Sequence, residues 1–142
     1  MKLKIICVLM ISICFQYCYS QTKNAKTDIG FIKELSGKDA TQIKLFDHPA
    51  LNERMKKIYG KEYKNFLENL SGYSNPIIIK GDYGFVFLVG KYRYSGNCGI
   101  YFDFKQNLIY ATIGAAQVDV DPLVFSENKV KSIPINIINL FN

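Results

Sequence analysis

Between residues 75 and 113 the sequence packs β-like runs so closely that their short links favour one kind of sheet. "NPIIIKGDYGFVFLVGKY" contains two such runs separated by Gly81-Asp82. "CGIYFDF" follows, then the turn "KQN", then "LIYATIGA". Parallel neighbours need a crossover of a dozen residues or more, whereas these links are far shorter. Such links suit antiparallel neighbours. Alternation assigns their faces: Phe85, Phe87 and Val89 to one side, Val86 and Leu88 to the other. In the next run Cys98, Ile100, Phe102 and Phe104 share a face, opposite Tyr101 and Asp103. "QVDVDPLVF" alternates Val118 and Val120 with Asp119 and Asp121, which predicts a half-exposed strand that Pro122 ends or moves to an edge.

The residues before this region have helical periodicity. "KEYKNFLENLSG" places Tyr63, Phe66, Leu67 and Leu70 on one stripe. "DHPALNERMKKIYG" aligns Leu51, Met55 and Ile58, with Asp47 or His48 as cap, Pro49 in the first turn and Gly60 as stop. "DIGFIKELSG" predicts a short helix carrying Phe31, Ile32 and Leu35, capped by Asp28 and ended by Gly37. A further short helix is expected after Ser132 and Pro134, through Ile137, Leu140 and Phe141. Helices followed by strands give an α+β fold: an antiparallel sheet of about five strands with two or three short helices packed on it. The 142 residues suffice for one domain, expected over 28–142.

Residues 1–20 predict a signal peptide. "MKLK" is positive, "IICVLMISICF" is apolar and too short to stay in a bilayer as a span, and "CYSQ" brings small residues at Cys18 and Ser20. Residues 21–27, "QTKNAKT", are a polar, flexible leader. The expected location is periplasmic or secreted, with no stable membrane insertion after cleavage. A lipid anchor at Cys18 is the lesser alternative, since Phe15 and Tyr17 suit that route badly. Removal of Lys2 and Lys4 lowers the formal net charge from +6 to +4. The remaining Lys and Arg are scattered, which argues against nucleic acid as a partner.

Cleavage also removes Cys7, Cys14 and Cys18 and leaves Cys98 alone, so no internal disulfide can form. One cysteine and one histidine, His48, do not make a zinc-type cluster. No catalytic pair and no cofactor site is legible. Cys98 is expected to pack as a small buried residue, the alternatives being an intermolecular or redox role and catalysis. Asp82, Asp103, Asp119 and Asp121 show neither a calcium-loop spacing nor a carboxylate pair for glycan cleavage.

The segment "GKYRYSGN" is the candidate binding element. Lys91, Tyr92, Arg93, Tyr94 and Asn97 lie between or beside Gly90 and Gly96. Tyr and Arg bury large areas while keeping a polar handle, which is why they dominate recognition hot spots. The opposing reading is an ordinary hairpin with paired tyrosines.

"LNERMKKIYGKEYKNFL", "SNPIIIKGDYGFVFLVGKY" and "IYFDFKQNLIYATI" follow an exported leader in the order seen in a known family. Over residues 49–115 the chain resembles the inhibitor of vertebrate lysozyme family. Those are small periplasmic proteins with an antiparallel sheet of about five strands and helices against it. The resemblance implies a non-enzymatic protein that binds a protein partner, a glycan hydrolase or a toxin, as an inhibitor of lysozyme or another cell-wall hydrolase. The alternative is an envelope protein, immunity-type or structural, sharing the fold but with some other ligand. Inhibitory members carry a loop with two cysteines flanking a Pro-His pair. The corresponding "KYRYSGNCG" has one cysteine and no Pro-His.

Overall fold

The computed structural model describes residues 28–70, 72–90, 97–114 and 122–141. Its centre is an antiparallel sheet of six strands: β1 (Tyr73–Ser74), β2 (Ile78–Lys80), β3 (Tyr83–Val89), β4 (Cys98–Asp103), β5 (Leu108–Ile113) and β6 (Leu123–Ser126). The spatial order is β1-β3-β4-β5-β6, and β2 pairs with the first half of β3 beside β1. From β2 onward every strand pairs with its sequence neighbour, as short links require. The register sets Val86 opposite Ile100 and Ile100 opposite Ala111, and these side chains form the inner face. The expected alternation holds along β3: Gly84, Val86 and Leu88 are buried, and Phe85, Phe87 and Val89 are half-buried.

Two α-helices, α1 (Pro49–Tyr59) and α2 (Tyr63–Asn69), cover the inner face. Leu51, Met55, Tyr59 and Phe66 meet Val86, Leu88, Cys98, Ile100, Phe102 and Ile109 in one core. Each of the larger side chains removed from water contributes about 1.5–3 kcal/mol. His48 is the cap of α1. Its Nδ1 accepts from Ala50 N at 3.3 Å and its ring stacks on Phe31 at 4.0 Å, so the only histidine is occupied in helix entry. Pro49 fills the first helical position, where no N–H is needed. Gly60 ends α1 at φ 52°, and a 3-10 turn, Gly60–Glu62, bends the chain into α2.

A third helix, α3 (Ile135–Phe141), lies on the outer face. Ile133 and Ile137 pack with Tyr110, and Phe141 reaches Phe85 at 5.3 Å between ring centroids. Lys80 Nζ donates to the Leu140 carbonyl and sits over the Phe141 ring. The sheet is thus packed on both faces.

Several expectations need correction. The first helix is a 3-10 helix, Gly30–Leu35, beginning after Ile29 rather than at Asp28. Asp28 instead accepts from Gly30 N at 2.9 Å. Leu67 was placed on the apolar stripe of α2 but is 43% exposed, because a seven-residue helix presents only Phe66 fully to the core. Asp103 shares the outer face with Tyr101, yet it is buried; its carboxylate accepts from Gln106 N at 2.8 Å and closes the β4–β5 turn. The strand expected over Val118, Asp119, Val120 and Asp121 lies outside the described residues and is not among these corrections; β6, Leu123–Ser126, follows Pro122 at the edge of the sheet.

Candidate functional site

The meander brings the β3–β4 and β5–β6 connections to the same end of the sheet. Of the expected binding residues, Lys91, Tyr92, Arg93 and Tyr94 lie outside the described residues. Asn97 is described and exposed. Its carbonyl accepts from Gly114 N at 2.7 Å, which ties the root of one connection to that of the other. Gly90, just after β3, and Cys98, the first residue of β4, bound the segment, and both strands are interior to the sheet.

The base is stiff for reasons that can be named. On the outer face Phe85 and Tyr101 lie 4.6 Å apart between centroids. Gly99 is required beneath them: a Cβ there would sit 2.9 Å from Thr112 Oγ1. That hydroxyl accepts from Gly99 N at 3.0 Å, so it docks onto the β4 backbone at the point where a side chain would intrude. On the inner face Cys98 is fully buried as a thiol one residue after Asn97. The Tyr59 hydroxyl, also buried, makes no hydrogen bond to nitrogen or oxygen among the described residues and has Cys98 beside it. Burial, with the thiol as a lesser cause, pushes the Tyr59 phenol far above its ordinary value. A thiol closed off from solvent in this way is no accessible nucleophile.

Two exposed apolar residues flank this end, and sequence reasoning missed both. Tyr73 is 60% exposed on β1, opposite Val89, and Leu123 is 61% exposed at the start of β6. Their two-residue and four-residue strands are too short to show periodicity, so nothing in the pattern marked them.

Elsewhere the polar groups serve the scaffold. Arg54 on α1 is only 7% exposed. Its Nε donates to Glu127 Oε1 at 2.6 Å, and its other nitrogens reach Glu127 Oε2, Asn107 Oδ1 and the Asn107 carbonyl. Glu127 Oε2 also accepts from Ile109 N at 2.9 Å. Asp39 Oδ1 gathers bonds from Thr41 N, Thr41 Oγ1, Gln42 N and Ser74 Oγ. The Thr41 hydroxyl and the Gln42 amide, followed by Ser74, hold the Asp39 carboxyl down at about 2 against a smaller opposing effect of burial. Asp82 pairs with Lys33 at 3.3 Å in solvent. Among the described residues no three of His, Cys, Asp or Glu come close enough to hold a metal ion, and no helix is long and apolar enough to cross a membrane.

The chain matches no family model, and neither a curated protein nor a solved structure shows significant similarity to it.

Proposed function

We propose that this is an exported, non-enzymatic binding domain whose partner is a protein, a cell-wall-active glycan hydrolase or a toxin, engaged through segment 91–97. One observation carries the reading. Two cations and two tyrosines, Lys91, Arg93, Tyr92 and Tyr94, lie in the sequence between β3 and β4, two interior strands of a sheet packed on both faces. Recognition residues commonly sit on loops that a rigid scaffold positions. A cationic side chain in such a connection suits the paired carboxylates of a glycan hydrolase cleft.

The resemblance to lysozyme inhibitors narrows the proposal to lysozyme or a related hydrolase. The absent Pro-His pair favours the second reading, an envelope protein with the same scaffold and another ligand. Clearing of a peptidoglycan suspension by lysozyme separates them. On the first reading the purified chain slows clearing in proportion to its concentration, and Tyr92→Ala with Arg93→Ala abolishes the effect. Undiminished clearing at a large molar excess would leave only the second.

A further inference from the structure

A second place in the molecule combines space with unspent charge. Ala40, Thr41, Lys44, Phe46, Asp47 and Leu70 line a cavity of about 170 Å³ that opens to solvent. Ala40 and Phe46 are buried and form an apolar floor with Leu70. Lys44 and Asp47, both exposed residues, also line it. The two charges are opposite, yet they form no ion pair with one another or with any other described residue.

The walls are held in advance. Asp39 fixes the backbone of Thr41 and Gln42, and Ser74 Oγ accepts from Ala40 N at 2.8 Å. Lys44 adopts left-handed backbone at φ 52°, with its N–H on the Thr41 carbonyl and the Asp47 N–H on its own carbonyl. Both charged residues therefore spring from one bonded turn.

Size limits the occupant. Pockets for drug-sized ligands or cofactors run from about 300 Å³ upward, so this one takes something far smaller. The chemistry limits it further: a cation, an anion and an apolar floor complement a molecule with an anion, a cation and a short apolar group. We infer that this cavity binds the zwitterion of a free α-amino acid with a small aliphatic side chain. Its carboxylate faces Lys44, its ammonium faces Asp47, and the aliphatic group rests on Phe46 and Leu70. The inference is independent of any hydrolase binding by segment 91–97.

Nuclear magnetic resonance titration of the isotope-labelled purified chain tests it, with L-alanine and L-valine as probes. Acetate, ethylammonium and N-acetylvaline are the incomplete controls. The expected result is saturable shifts at the Ala40, Thr41 and Leu70 amides, at the millimolar affinity suited to a ligand of about six to eight non-hydrogen atoms on an open site. Each control should bind at least about tenfold more weakly, since it lacks one of the two charges. Lys44→Asn, which tolerates left-handed backbone, and Asp47→Asn should each weaken L-valine by about fivefold or more with unchanged melting. Absence of saturable shifts at these amides up to about 100 mM would overturn the inference, since that is far weaker than millimolar binding. Controls that match the amino acids, or variants that bind like the parent chain, would overturn it equally.

Discussion

Asp39 offers a quantitative test of how the loop beside the cavity is held. The carboxylate accepts four hydrogen bonds on one oxygen, the shortest at 2.6 Å from Thr41 Oγ1. These bonds favour the charged form and place its pKa at about 2. An unfolded chain would titrate this group at about 3.9. The folded value is depressed, so the stabilisation is fully present above about pH 4 and is lost as the pH falls through about 2. A difference of about two units corresponds to about 2.7 kcal/mol at most. Asp39 is only half-buried, and solvent screening brings the expected value to about 1–2 kcal/mol. Urea midpoints for the parent chain and Asp39→Asn, measured from neutral pH down to about pH 2, read this directly. The variant should be less stable by about 1–2 kcal/mol at neutral pH, and the gap should close as the pH approaches 2. A gap that stays constant across the range would show that the carboxylate charge contributes nothing, and would refute the assignment of the depressed pKa to these bonds.

Four other outcomes follow from the packing. Tyr59→Phe removes a buried hydroxyl that lacks a nitrogen or oxygen partner, so thermal unfolding should show unchanged or greater stability, by up to about 1 kcal/mol. Cys98→Ala should cost on the order of 1 kcal/mol, and a thiol reagent should label the native chain no faster than it opens. Glu127→Ala leaves the Arg54 charge buried without its bidentate partner and should cost about 3 kcal/mol, whereas Arg54→Met with Glu127→Leu should stay nearer the parent chain in denaturant titrations. Tyr92→Ala with Arg93→Ala should weaken the partner's binding by about 2 kcal/mol, measured calorimetrically, and leave melting in place.

What the sequence revealed depended on the length of each pattern. β3 and β4 are seven and six residues long, and their alternation located both faces, including the buried Cys98; β5 was legible as a strand without its faces. His48, Pro49 and Gly60 marked α1 because each has a definite helix-terminal role. β1 escaped notice because two residues carry no period, and Leu67 was misplaced because so short a helix buries a narrower stripe than a long one. The cavity and the Arg54–Glu127 pair were illegible for another reason. Their members come from distant parts of the chain, and no local pattern links position 40 to 70 or 54 to 127. The proposed binding segment was read from residue types alone, and the structure adds only the strands that flank it.

The Arg54–Glu127 pair also bears on the order in which the molecule assembles. From β2 to β6 each strand meets its neighbour across a short loop, so those pairings carry a small entropic cost of closure. The Arg54 bond to Glu127 closes 73 positions at once, joining the first long helix to the turn after the last strand. So long a closure is costly to make before the sheet is in place, so the contact is expected to form late. Interactions absent from the folding transition state act on the rate of unfolding and leave the rate of folding alone. On that order the clasp would be a kinetic lock: Glu127→Ala should speed unfolding and leave the folding rate nearly unchanged in denaturant-jump measurements.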